Sequence, residues 1–151
     1  MSRGLATVSA VCCGMSAGAM LLIRVVLVPF WRGAPPREFR GWFAAHSGRI
    51  RTVMVPLGVS AAAAPVASTL ATVASGDPGA GSSALAAGAG AGVVAITLNV
   101  NEPANEKFVQ PDLSDPETAQ LLDRWAKWHD VRVALGVAGA VFAARALTAR
   151  D

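Results

Sequence analysis

Four long apolar runs, separated by short polar stretches, dominate the chain. The first covers about residues 5–28 and contains one charge, Arg24. About 20 apolar residues suffice to cross a bilayer as a helix, so this run is long enough. Its start resembles a secretory leader, with Arg3 followed by an apolar stretch and small residues at Ala17–Ala19. The apolar pattern continues past those residues to Pro29, which favours a helix that is retained. Pro29, Pro35 and Pro36 then predict a loop from Pro29 to Arg37. The second helix is expected over about 39–74, opening with Phe39, Trp42, Phe43, His46 and Arg49 on one face. Aromatic and basic residues at that spacing suit a membrane interface. Pro65, mid-span, predicts a kink. A Gly/Asp/Pro/Ser turn at Ser75–Ser83 makes the second and third helices antiparallel. The third is expected over about 84–102. The fourth, about 115–147, opens on Ser114-Asp-Pro-Glu117, which has the form of a capping box with proline in the first turn.

The expected fold is therefore all-α: a membrane-embedded antiparallel four-helix bundle forming one integral-membrane domain over residues 1–151. Small residues support close helix packing. Gly14 and Gly18 form one GxxxG face, and Gly88 and Gly92 another. Those faces leave room for a homo-oligomer.

This topology brings the chemically capable residues to one end. Trp125, Trp128, His129 and Arg132 lie at i, i+3, i+4 and i+7, a continuous face on a helix. An uncharged run, Val133–Ala144, follows directly. At the same end lie Arg24, His46 with Arg49, and the stretch Asn99, Asn101, Glu102, Asn105. Each has a plain structural reading. Arg24 can snorkel to headgroups, His46 and Arg49 can form an interfacial belt, and the tryptophans can be interfacial anchors. Asn99 and Asn101 are costlier to bury, which favours an interhelical or substrate hydrogen bond. Glu102 precedes Pro103, so a helix break is expected there, with Arg24 or Arg49 near the carboxylate. Cys12 and Cys13 are adjacent and read as small apolar fillers.

Composition agrees with a membrane protein. Hydrophobic residues are 53% and charged residues 15% of the chain; soluble domains carry roughly 25% charged residues. The net charge of +3 is better read as orientation than as nucleic-acid binding, since no nucleic-acid motif is visible. Besides Arg24 within the first apolar run, nine cations lie at the loop end (Arg32, Arg37, Arg40, Arg49, Arg51, Lys107, Arg124, Lys127 and Arg132). Three lie at the terminal end: Arg3, Arg145 and Arg150. This asymmetry predicts a bacterial plasma-membrane protein with its loop end facing the cytoplasm.

Three stretches together resemble a family. Ala17-Gly18 through Val28-Pro29, then NEPANEKF (Asn101–Phe108), then RWAKWHDVR (Arg124–Arg132) are similar to the anthrone oxygenase-like family of small four-helix membrane proteins. Asn101, Pro103 and Asn105 match an N-x-P-x-N motif ending the third helix. Trp125, His129 and Arg132 match the motif opening the fourth, where Trp128 is commonly aromatic or apolar. The resemblance implies oxygenation of a polyketide anthrone to a quinone with O2. A base of suitable strength is needed to take the carbon-bound proton, which suits His129. Donors are needed for the enolate, which suits Arg132, Asn101 and Asn105. Trp125 and Trp128 would hold the rings, with Glu102, His46, Arg49 and Arg24 lining the substrate site. The expected partners are the lipid bilayer and a hydrophobic aromatic small molecule. No cofactor is required in this scheme. The competing scheme places iron or copper at His46, His129 and Glu102. A third reading is a non-catalytic helper in transport or lipid binding.

Overall fold

The computed structural model describes residues 2–149 and consists of four long helices. We number them α1 (Arg3–Gly33), α2 (Pro36–Ala74), α3 (Ala80–Phe108) and α4 (Asp115–Thr148). No strand occurs among the described residues. Arg150, counted above among the terminal cations, lies outside them. Each helix packs against its sequence neighbours, and α4 closes the ring against α1, while the α2–α4 diagonal is weak. The bundle is therefore an up-and-down square. Each helix is long and apolar enough to cross a membrane. At 1.5 Å per residue even the shortest is roughly 44 Å long, against about 30 Å of hydrocarbon. The ends therefore reach beyond the hydrocarbon or the helices tilt.

The ends of the connections differ from the sequence expectation for one physical reason. α1 does not stop at Pro29; it continues to Gly33, leaving only Ala34 and Pro35 between helices. α3 does not break at Glu102–Pro103; it continues to Phe108. In both helices a five-residue π segment, Ile23–Leu27 and Thr97–Asn101, ends two residues before the proline. The backbone N–H of Val28 reaches the carbonyl of Ile23, and that of Glu102 reaches Thr97. A proline ring would clash with the carbonyl four residues back. The wider π turn moves that carbonyl aside, so the helix absorbs the proline.

Pro65 is accommodated differently. α2 is unbroken from Pro36 to Ala74 with Pro56 and Pro65 inside it. The carbonyl that Pro65 cannot serve, Ala61 O, accepts from the Cys13 thiol at 3.7 Å. Cys13 is thus a hydrogen-bonding residue as well as a filler. The turn after α2 depends on Gly76, which has φ of 63°. Its geometry, with Asp77 N bonded to Thr72 O and Gly76 N to Val73 O, requires a left-handed residue that glycine supplies without strain. The connection from α3 to α4 is held by Arg40 of α2, which donates to the carbonyls of Gln110 and Leu113. α4 opens on the expected capping box of Ser114 and Glu117.

The interior has two parts. At the loop end Trp31, Phe39, Phe43, Phe108 and Trp125 pack with Ile23, Val28 and Leu122. Towards the terminal end the core is made of Cys13, Ala86 and Ala143, with Ala10, Ala61 and Ala140 against them.

Candidate functional site

The loop end gathers the buried polar groups around one turn of α4. Trp125, His129 and Arg132 are buried along the face that α4 turns inward, and His129 has no exposed surface. Trp128, of the expected tetrad, is 39% exposed. Successive helical positions turn by about 100°. That carries Trp128 to the edge of the buried row, so it is a surface aromatic here.

His129 is fixed from α1. Its Nε2 donates to the Met20 carbonyl at 3.0 Å. A carbonyl only accepts, so Nε2 carries the hydrogen and the neutral ring has its lone pair at Nδ1. Met20 lies just before the π segment of α1, where regular α pairing gives way. Trp125 stacks on the imidazole, with centroids 4.8 Å apart and planes 21° apart. The indole is held in turn: its Nε1 donates to Asn105 Oδ1 at 2.9 Å. Asn105 Nδ2 donates to Glu102 Oε1 at 3.0 Å, and Glu102 Oε2 accepts from Arg51 at 2.9 Å. A continuous chain, Arg51–Glu102–Asn105–Trp125–His129, therefore crosses from α2 through α3 to α4.

Three buried polar atoms of the expected site residues lack a hydrogen-bond partner: His129 Nδ1, Asn101 Oδ1 and Arg132 Nε. Asn101 is anchored by its Nδ2, which donates to the Trp125 carbonyl at 3.4 Å. Its free atom is thus an acceptor. Arg132 lies one turn beyond His129 and has Glu102 as an electrostatic neighbour. Unpartnered buried polar groups are costly, and sites that bind ligands are where they are retained. One lone pair, one acceptor and one cationic donor make a set that could take a proton, receive a hydroxyl and brace a developing oxyanion.

Other expected site residues lie apart from this set. Asn105 is engaged at both ends of its amide, so it positions Trp125. Arg24 pairs with Asp130 on the exposed side of α4. Arg49 is exposed, and the cation on Glu102 is Arg51, two residues on and on a different face. His46 stacks on Trp42 at 4.6 Å and donates from Nδ1 to the Trp42 carbonyl at 2.8 Å. Asn99 is exposed and bonds its own helix at Ala95 O. Among the described residues no three His, Cys, Asp or Glu side chains are placed to hold a metal ion. His46, His129 and Glu102 thus do not form a ligand set in this arrangement. Sequence reasoning missed Met20, Arg51 and Trp31. Trp31 is buried edge-on to Trp125 at 5.6 Å, and its Nε1 also lacks a partner. The Met20 contact is made by backbone and leaves no side-chain signal. The apolar, aromatic setting of Trp31 could have been found from the Phe39/Trp42/Phe43 cluster that faces it.

A four-helix membrane bundle with one buried histidine-centred polar cluster defines the class. The chain belongs to the anthrone oxygenase family, whose model matches residues 39–142. The match covers α2 from Phe39, all of α3 and α4 to Phe142, and so includes Asn101, Asn105, Trp125, His129 and Arg132. It leaves out α1, which supplies Met20 and Trp31. No curated protein and no solved structure matches the chain.

Proposed function

We propose that this membrane protein oxidises a polyketide anthrone, or a related aromatic with an acidic ring methylene, to the quinone with O2. The observation that carries the reading is the fixed His129 ring. Its Nε2 is tied to Met20, its Nδ1 is buried without a partner, and Arg132 is its electrostatic neighbour. Nδ1 takes a proton from the methylene carbon. The Arg132 guanidinium braces the enolate oxygen, and Asn101 Oδ1 accepts from a ring hydroxyl. The carbanion delivers its electrons to O2 and forms a C–O bond. Loss of the second carbon-bound hydrogen with the outer oxygen then gives the carbonyl and one water. His129 returns its proton to the departing hydroxide. The chemistry needs no metal or organic cofactor, so chelators are expected to leave turnover unchanged.

Because His129 is wholly enclosed, substrate reaches Nδ1 only when the rings over it part. Trp125, hinged on Asn105, is the group placed to do this. The bilayer supplies and concentrates the apolar substrate. The basic loop end would face the cytoplasm of a bacterial cell. Oxygen uptake by membranes carrying the protein tests the proposal directly. With an anthrone panel, one O2 consumed per quinone formed is expected. No uptake above control membranes with any anthrone would leave a non-catalytic helper, in which His129 simply ties α4 to α1.

A further inference from the structure

A small void lies near mid-span, lined from all four helices. Cys13, Ser16 and Met20 of α1 form one side. On the other three helices only glycine, alanine, valine and leucine line it, among them Gly58, Ala86 and Gly136. About 20 Å³ of it is open to the centre of a water-sized sphere. One water needs about 10–15 Å³ by that measure, so there is room for a diatomic molecule and none for a ring. Water is a poor occupant, because it needs about two to four polar partners. Only Cys13 and Ser16 among the lining side chains carry a polar hydrogen, and the Cys13 thiol is already bonded to the Ala61 carbonyl. Ser16 is 4% exposed and makes no hydrogen bond among the described residues, whereas Ser60, Thr69 and Thr72 each bond a carbonyl one turn back. One unpaired hydroxyl is thus left on an otherwise apolar wall.

The void adjoins the site through Met20. The Met20 carbonyl accepts from His129 Nε2 at 3.0 Å, and the side chain forms part of the wall, with its terminal methyl over Gly136. Gly136 is seven residues beyond His129, roughly 10 Å along α4. We propose that the void is a dioxygen site: O2 dissolved in the bilayer enters it and passes Met20 to reach substrate at His129. This rests on the oxygenase reading above and adds to it the place where the co-substrate is held. O2 is apolar, diatomic and soluble in hydrocarbon, and dry apolar cavities take up such molecules. The flexible Met20 thioether can swing while its carbonyl stays on His129.

The probe is O2 itself, which is paramagnetic and speeds the relaxation of nuclei it touches. The full chain, carrying carbon-13 at its methionine methyls, is placed in nanodiscs and equilibrated with oxygen or nitrogen; Met20→Leu assigns the resonance. Met15, 58% exposed, reports oxygen dissolved in the lipid. Met20 is 2% exposed and would be shielded in a closed core. Oxygen-induced relaxation at Met20 is expected to equal or exceed that at Met15. Ala86→Val, whose added methyls fill the void, should abolish it. In oxygen-uptake assays the same variant should raise KM for O2 at least about threefold without lowering kcat, the signature of lost binding and not of lost chemistry. Gly88→Ala, outside the void and with nothing within 4 Å of the new methyl, should change neither. A Met20 methyl relaxed far less than Met15 would overturn the inference and leave the anthrone reading standing. Oxygen at Met20 with no turnover of any anthrone would uphold the site and bring down the anthrone reading. A water-to-methyl Overhauser contact at Met20 without oxygen-induced relaxation would make the void a hydration site for Ser16 and refute the proposal.

Discussion

The two ends of the bundle solve the same packing problem with opposite materials. At the terminal end the helices approach through alanine, glycine and serine. A Cβ built on Gly79 would lie 2.8 Å from the Ala146 carbonyl, and one on Gly90 would lie 3.2 Å from the Ala61 carbonyl. The polar groups there are short and satisfied locally, as in Ser68–Ser83 at 3.2 Å and Thr72 bonded to Ser68 O. At the loop end the helices are held by large rings, with Trp31 in contact with Phe39, Trp42, Phe43 and Trp125. Long polar side chains fill the space between them, and several are left with an unpaired atom. Both π segments lie in the loop half. One end is built to hold the bundle together; the other gives up regular hydrogen bonding for a polar interior.

Substitutions should therefore separate stability from activity according to the end they touch. The largest effect is expected at the loop end. His129→Gln should lower kcat by about 10²–10⁴, the usual contribution of a general base, while the purified protein keeps its helical circular dichroism. Unchanged kcat would remove the base assignment. At the terminal end, Gly79→Val should do the reverse. The added methyls meet the α4 backbone, so a loss of roughly 1–3 kcal/mol in stability is expected from overpacking, read as a lower melting temperature in detergent. Turnover per folded molecule should be unaltered. Reduced turnover with full stability would break the proposed division of labour.

Smaller effects sharpen the picture inside the loop end. Asn105→Leu removes the acceptor for Trp125 Nε1 and the donor to Glu102. It should cost about 0.6–1 kcal/mol, an interhelical hydrogen bond in a membrane being worth about 0.6 kcal/mol on average, and loosen Trp125, detected as a red shift of tryptophan emission. Arg51→Ala should be milder still. That ion pair joins a 66% exposed arginine to Glu102, and exposed pairs contribute about 0–1 kcal/mol. A kcat change larger than threefold in Arg51→Ala would mean the Glu102 pair serves the chemistry and not only the scaffold.

The bundle was legible in the sequence because its signals are long and one-dimensional. Four apolar runs, the Ser114–Glu117 box and the Gly76 turn each act over a few neighbouring residues. The ends of α1 and α3 were not legible, because Pro29 and Pro103 are helix breakers by local rule and only the π turns before them alter the outcome. The site was partly legible. Periodicity brings Trp125, His129 and Arg132 onto one face, but the width of the buried stripe, which excludes Trp128, depends on how closely α1 and α3 approach α4. The partners of Glu102 and Arg24 were misassigned within one end of the bundle. Charge content locates cations to a membrane level, whereas pairing depends on which helix face each occupies.

The central claim is that His129 holds its hydrogen on Nε2, against Met20, and presents a free Nδ1 to a substrate. Nitrogen-15 NMR of histidine-labelled protein measures this most directly, with His46→Gln used to assign the two rings. The His129 spectrum should show a protonated Nε2 and an unprotonated Nδ1, and an unreactive anthraquinone should shift the Nδ1 resonance. A hydrogen on Nδ1 of the neutral ring, or a bound anthraquinone that leaves both His129 nitrogens unmoved, would contradict the account.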